Sequence, residues 1–332
     1  MANVNTAENA KLMFEVGQDF TEFTALTNDG DNKTFTSDAD LWSARSDYEA
    51  EIRPNGLMTG GEVTPGDSDD TVDVASLTCY LAGKQESVSS VSDESVTRAE
   101  SDTHIINSIT IDSDASIQVL QGSEGTEFRE ERGENGGPPW IPTDSIEIAQ
   151  VRLSSQDAAA IKEDEIKQIP GTHQERYDFP VWEVDNFEAQ VEFATELQEI
   201  HSDNDGSDKA TKKVYASYYE PTMMEQPYAY DFEPPEDSHS VDSTQVYGAT
   251  IASTSSSLGQ GSFTALCKDG VTDNIVQLKN ETLWFKFYPD RNKQPHILCQ
   301  GKLGITRSFP AGENINVECT ISATEAAKDQ RS

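Results

Sequence analysis

Apolar residues in this chain recur at every second position, and that period limits what it can build. In the last third, Leu283, Phe285 and Phe287 alternate with Trp284, Lys286 and Tyr288. A turn-rich break, Pro289-Asp290-Arg291-Asn292-Lys293, follows. Ile297, Cys299, Gly301, Leu303 and Ile305 then share one face, opposite Gln300, Lys302 and Thr306. After Pro310-Ala311-Gly312-Glu313 come Ile315, Val317, Cys319 and Ile321, set against Asn314, Asn316, Glu318 and Thr320. Successive side chains of a strand point to opposite faces. The region therefore reads as three antiparallel strands with one buried face and one polar face.

The same period runs upstream. Ile105–Ile111 and Ser116–Leu120 flank Asp112-Ser113-Asp114 as a hairpin. Across Ser145–Leu153 the phase changes from Ile146 and Ile148 to Val151 and Leu153, which a β-bulge near Ala149 explains. Phe187, Ala189, Val191 and Phe193 alternate with acids and Gln190, and Val214–Tyr219 and Gln245–Ala252 read as strands. Helix is expected at Gln156–Ile169, stopped by Pro170-Gly171, and at Asp38–Arg45. Gly66–Asp70, Ser87–Ser101, Gly122–Pro139, Ser202–Asp208 and Glu233–Ser243 read as polar loops, the last a linker stiffened by Pro234-Pro235. The expected architecture is mainly β. It is an antiparallel β-sandwich with one or two short helices, in which 1–86 and 241–332 form one β domain and 87–240 an inserted or second one.

Composition narrows the function. The 332 residues carry 60 Asp+Glu against 24 Lys+Arg, a formal charge of -36. A basic surface for gripping phosphate is missing. A disordered acidic chain would not carry 13 Phe, 10 Tyr and 4 Trp in alternating runs. The composition instead fits a folded protein of concentrated salt, with a halophilic archaeon as host. Glu281–Ser332 departs from the rest with 6 acids and 7 bases. It reads either as a segment hidden from solvent by a partner or as well-packed core strands. No stretch is long and apolar enough to span a bilayer, and Met1–Lys11 has neither an apolar signal core nor a twin-Arg pair. Synthesis in the host cytoplasm without a signal peptide is expected.

No nucleophile elbow, P-loop, dinucleotide fingerprint or zincin motif is present. Cys79, Cys267, Cys299 and Cys319 lack C-x-x-C spacing, and His104, His173, His201, His239 and His296 are scattered. Asp203–Asp208 resembles the start of a calcium loop but lacks the bidentate Glu, and Asp67–Asp70 is similar. The expected cofactor set is none, with structural calcium or another cation at these acidic loops as the alternative. Glu183 and Asp185 could pair as hydrolytic carboxylates, but so many acids make chance pairs common, and no enzymatic activity is expected. The run Tyr215–Phe232 holds Tyr215, Tyr218, Tyr219, Met223, Met224, Tyr228, Tyr230 and Phe232. It reads as protein interface, core or glycan platform.

At the C-terminal strands the chain resembles the major tail tube proteins of siphovirus-like tailed viruses. The resemblance rests on Leu258–Phe263, Leu278–Asp290 and Gly301–Glu313, with the turn Phe309-Pro-Ala-Gly-Glu313 before the strand Asn314–Ile321. Arg53–Pro65 adds to it, and together these segments cover about a third of the chain. The resemblance implies a tail-tube type β-sandwich whose inner strands join into a barrel around six-fold rings, or pseudo-six-fold rings of three two-domain chains. The rings would stack into a conduit for genome delivery within the virion. Partners would be other copies, other tail proteins at the tube ends, and viral DNA passing without specific binding, with no membrane insertion. Trp284, Phe285, Phe287, Phe309, Ile315 and Val317 are the expected core or assembly residues. A glycan-binding or adhesive β-sandwich of a virion surface is the alternative.

Self-repulsion of this charge weakens the compact and assembled states when salt is dilute. In a KCl series followed by circular dichroism and light scattering, assembly should be lost on dilution. Unchanged assembly in dilute buffer would refute salt adaptation.

Overall fold

The computed structural model describes residues 9–331 apart from Ala44, Asp102, Asn204, Asp205, Tyr247 and Gly248, with backbone alone for 241–254. The chain is mainly β with antiparallel sheets, consistent with a β-sandwich-type fold, as the alternation predicts. A two-residue parallel pair, Ile141–Pro142 with His201–Ser202, is an exception. Two compact units are present. The first comprises Met1–Phe20, Leu41–Glu49 and Tyr218–Ser332; the second, Thr21–Asp40 and Ala50–Ser217.

In the first unit, Ala229–Glu233, Gly261–Cys267, Ile315–Ser322, His296–Ser308, Thr282–Tyr288 and the part of Lys11–Ala25 up to Phe20 lie side by side in that order. The three predicted C-terminal strands are present and antiparallel. Leu12, Phe14, Phe263, Phe285, Cys299, Leu303, Val317 and Ile321 pack into one core, joined by Ile275 and Val276 from the single-turn helix Asn274–Gln277. One feature departs from a buried face opposite a polar one. Trp284 is also fully buried, because its indole N–H donates to the Trp42 carbonyl at 2.7 Å. Beside it, buried Glu15 accepts from the Ser43 hydroxyl at 2.7 Å. Burial pushes the Glu15 carboxyl above its usual range despite that bond.

The inserted unit is built on Ile105–Ile111, which pairs with Ile117–Leu120 on one side and Ile146–Leu153 on the other. The predicted hairpin and bulge are both present. Ile109 faces Ala149 and Thr110 faces Glu147, which leaves Ile148 as the extra residue. The sequence boundaries at 86 and 240 differ from this division. Leu57, Val63, Val72, Val74, Leu77 and Cys79 join the core of the inserted unit, so its second segment begins at Ala50.

Several local expectations are overturned. Gln156–Ile169 is not a helix. The Arg98 guanidinium donates to the carbonyls of Ser155 and Ala159, and Asp70 accepts from the Ala159 amide, so tertiary partners take groups that a helix would pair internally. Only Glu163–Glu165 forms a 3-10 turn there. Asp38–Arg45 forms bends, with Ala44 outside the described residues. Val91–Ser95 is a strand within the predicted loop 87–101. Phe187 and Ala189 lie in a tight turn, and the strand starts at Gln190. The predicted strand Gln245–Ala252 and the linker Glu233–Ser243 fall on one long hairpin, Asp237–Val246 with Ala249–Leu258.

Phe285 is fully buried and Phe309 is 57% exposed. Phe285→Ala should therefore cost about 3–5 kcal/mol in urea unfolding at high KCl, and Phe309→Ala within about 0.5 kcal/mol. Phe285→Asp should prevent folding.

Candidate functional site

Two features have functional content. The first is the hairpin, whose ten-residue strands pair in an unbroken ladder. Neither strand pairs with any other among the described residues. Consecutive strand residues face opposite sides. Asp237, Ser238, His239 and Ser240 are all exposed, as are Ser255, Ser256 and Ser257, so neither face of the hairpin base is covered. The Gly259 amide donates to the Glu236 carbonyl at 2.9 Å, which fixes the phase of the ladder. By the antiparallel alternation, Ser238–Ser257 and Ser240–Ser255 exchange hydrogen bonds. The amides and carbonyls of His239 and Ser256 instead point out along the free edges. The two strands hold seven Ser and three Thr, two acids (Asp237 and Asp242) and no Lys, Arg or Pro.

The second feature lies in the inserted unit, where the bulge decides it. Paired residues of an antiparallel ladder share a face. The register thus sets Ser108 with Gln150, Ile106 with Arg152 and, past the bulge, Thr110 with Glu147. Without the extra residue Ile148, the Glu147 side chain would point to the other side. Fully buried Glu147 accepts from Ser108 at 2.5 Å and pairs with the Arg132 guanidinium. Burial outweighs these partners and raises its pKa. Its amide donates to Glu175 Oε2 at 2.8 Å, and Glu175 Oε1 lies 2.8 Å from His201 Nε2. His201 Nδ1 lies 3.0 Å from the Pro142 carbonyl. Both ring nitrogens thus face acceptors, which only the doubly protonated imidazolium satisfies. Burial pulls the His201 pKa down, but Glu175 and the two hydrogen bonds more than offset it, and the net shift is upward. For Glu175, burial pushes upward and His201 prevails, leaving it below the usual carboxylate range. Lys212 donates to the carbonyls of Arg176 and Phe179 at 2.5 and 2.8 Å. Burial lowers its pKa to about 8, against the pull of Glu175 and Asp178.

Sequence reading missed this cluster. Its members are far apart along the chain, and the usable signal was a glutamate, Glu147, set between Ile146 and Ile148 in a run otherwise apolar enough to be buried.

The expected core or assembly residues separate by burial. Trp284, Phe285 and Val317 are fully buried; Phe287 and Ile315 are half-buried, and Phe309 is exposed. Phe287 stacks on Phe232 at 4.5 Å. The aromatic run Tyr215–Phe232 does not form one platform. Tyr218 is buried and stacks on Trp42, Tyr219 packs on Phe20 and Tyr48, and Tyr228 and Tyr230 are exposed. Asp185 caps its turn by accepting from the Phe187 amide at 2.7 Å, and Glu183 is exposed. Among the described residues no group of three His, Cys, Asp or Glu has metal-holding geometry. Of the acidic loop 203–208, Asn204 and Asp205 lie outside the described residues, and Asp203 accepts from the Ser207 and Asp208 amides. All four cysteines are free, and burial pushes the Cys299 and Cys319 thiols up to about 12. Among the described residues no helix is long and apolar enough to cross a membrane. The chain matches no known protein family, no curated protein and no solved structure.

The cluster gives the inserted unit a pH dependence with a definite sign. His201 binds its proton more tightly when folded, so its contribution is complete below about pH 6.5 and is lost as pH rises through the higher folded value. Glu175 contributes above its ordinary range, and that stability is lost as pH falls through its depressed folded value. Lys212 acts oppositely to His201 above about pH 8, where the unfolded chain holds more protons. Thermal unfolding of His201→Gln should lose the decline just above neutrality and be less stable by about 3–5 kcal/mol, since one partner of a buried pair is removed.

Proposed function

We propose that this chain is a non-enzymatic structural subunit that pairs with copies of itself through the long hairpin, closing rings that stack into the tail tube of a virion. The observation that carries the proposal is the hairpin, whose base is uncovered on both faces and whose strands pair with no other strand among the described residues. An isolated two-stranded hairpin is marginal in water, and free edges template pairing with another chain. Natural edges are blunted by Lys, Pro or bulges, and this ladder has none of them. By contrast, the outermost strand of the first unit, Ala229–Glu233, carries a register shift between Tyr230 and Glu233.

Ring closure removes every edge at once. A bore lined by these strands would present serine, threonine and a few acids. Phosphate would find no basic docking group, so DNA would pass without specific binding. Other tail proteins would meet the tube at its ends. The tail-tube resemblance of the C-terminal strands supports the same reading, and the acidic composition supports a halophilic archaeal host.

Proline at an outward-facing position removes an edge amide without breaking the hairpin's own ladder. Negative-stain microscopy at high KCl should show rings or tubes for the native chain. Ser256→Pro and His239→Pro should give monomers with unchanged circular dichroism. A native chain that stays monomeric at multimolar KCl and at every concentration overturns the proposal.

A further inference from the structure

The face of the inserted unit that holds Glu147 also carries polar atoms that the chain leaves unmatched. Gln150 Nε2 donates to Glu147 Oε1 at 3.2 Å, which assigns Gln150 Oε1 as the remaining acceptor of that amide. Arg152 gives both terminal nitrogens to Glu130 at 2.7 Å, and its Nη2 also lies 3.4 Å from His173 Nε2. A guanidinium only donates, so His173 Nε2 accepts and the ring proton sits on Nδ1. Burial and the charge of Arg152 lower the His173 pKa, which keeps the ring neutral at neutral pH. Gln150 Oε1, His173 Nδ1 and Arg152 Nε are buried and have no hydrogen-bond partner among the described residues. Buried polar groups are ordinarily partnered.

Gln150 and His173 line a cavity of about 390 Å³, within the ~300–1,000 Å³ usual for small-molecule sites. Half-buried Trp140 supplies an aromatic wall, and exposed Gln198 adds a second amide. Lys209 Nζ lies 5.0 Å from the centroid of the Trp140 ring. The ring also lines a second cavity of about 410 Å³, with Gln121, Ser123 and Ser202, so its surface stays open beyond that contact. The charges of the wall narrow the ligand. Arg132 is paired with Glu147, and Glu130 with Arg152. Glu131 and Glu199 also line the cavity, are exposed and form no ion pair among the described residues, so they oppose an anion. The unmatched atoms are two donors and one acceptor. An ammonium only donates and cannot answer the donors, whereas a hydroxyl both donates and accepts.

We propose that this cavity binds a neutral saccharide, with hydroxyls on the side of Gln150, His173 and Gln198 and a C–H face of the sugar ring packed on Trp140. An indole combines a large apolar face with a polar N–H, which suits a ligand that is apolar on one face and polar at its edge. Hydrogen bonds between neutral groups are not weakened by the screening that molar salt imposes on charges. The site therefore works at the ionic strength that the acidic composition calls for. It lies within the inserted unit and does not depend on pairing between copies.

The test uses the full chain in multimolar KCl and saturation-transfer NMR. The probes are glucose, galactose, mannose, N-acetylglucosamine and lactose, with glucuronate as the anionic control and glycerol as the open-chain polyol. At least one neutral sugar should bind saturably, and glucuronate and glycerol should not. Trp140→Ala should weaken that binding on the order of tenfold. Trp140→Phe keeps a ring in place and loses the N–H, so it should bind more weakly than the native chain and more tightly than Trp140→Ala. Gln198→Leu changes an exposed position on the wall, so the chain stays folded and binding should weaken even if Trp140→Ala does not fold. No saturable binding by any of the neutral sugars overturns the proposal, as does undiminished binding in both Trp140→Phe and Gln198→Leu. Glycerol that binds as well as the sugars also overturns it, and glucuronate that binds as well overturns the assignment of a neutral ligand.

Discussion

Backbone amides and carbonyls must find partners, and the two units of this chain meet that requirement differently from its long hairpin. In the first unit the ladder is continuous from Lys11–Ala25 to Ala229–Glu233, and its far strand ends in a register shift with Asp231 in the left-handed region at φ 54°. Such a shift twists an edge away from further pairing. In the hairpin, every cross-strand position from Asp237–Leu258 to Val246–Ala249 is in register. Its inner groups are paired, and its outer groups pair with no other strand among the described residues. A ladder this regular costs conformational entropy to hold, and no side-chain layer at its base repays it within the chain. On the proposed reading, a second copy would complete the ladder.

The inserted unit shows how one extra residue can change chemistry. Ile148 is accommodated as a bulge, and the shift turns Glu147 to the side occupied by Gln150 and Arg152. Once there, the carboxylate needs Arg132, Ser108 and Gln150 to offset burial. Through its amide it fixes Glu175, which in turn favours the protonated form of His201. Buried ion pairs give little net stability compared with apolar residues of the same shape, but breaking one leaves an uncompensated charge. The cluster thus acts more as a constraint on which conformation is allowed than as a source of stability. It fixes the segment around Glu175, Arg176 and Phe179, the same segment whose carbonyls hold Lys212.

The legible parts of the fold are those set by local alternation. The three C-terminal strands, the hairpin at Ile105–Leu120 and the bulge near Ala149 follow from the side-chain period alone. The alternation set Trp284 opposite the core face of its strand, although it was expected among the core or assembly residues; it is buried, and its partner, the carbonyl of Trp42, lies far away in sequence. Gln156–Ile169 has a capping serine and a Pro-Gly stop, yet Arg98 and Asp70 reach its backbone first. The linker reading of Glu233–Ser243 failed for a different reason. Its serines and acids look like loop composition because a strand that lacks cover from its own chain has no apolar face to reveal it. The charge cluster was invisible because it is assembled by tertiary register, apart from the anomaly of Glu147 among isoleucines.

Charge distribution joins the hairpin to the composition. The chain holds 60 acids in 332 residues, but the two hairpin strands hold only Asp237 and Asp242. In molar salt, screening reduces repulsion between copies to contact range. An acidic surface then no longer keeps chains apart, and charge placed on an edge is a weak guard. Any pairing between copies would then be decided by hydrogen bonding and shape, which salt does not screen. A serine- and threonine-rich ladder offers both, with small side chains that let a neighbouring strand approach and hydroxyls that pair across it, as Ser240 and Ser255 already do at 2.7 Å. In dilute buffer the balance reverses, because the acids elsewhere on each chain repel over tens of ångströms (about 30 Å at 0.01 M) while the hairpin gains nothing. If the edge pairs as proposed, it would do so only in concentrated salt.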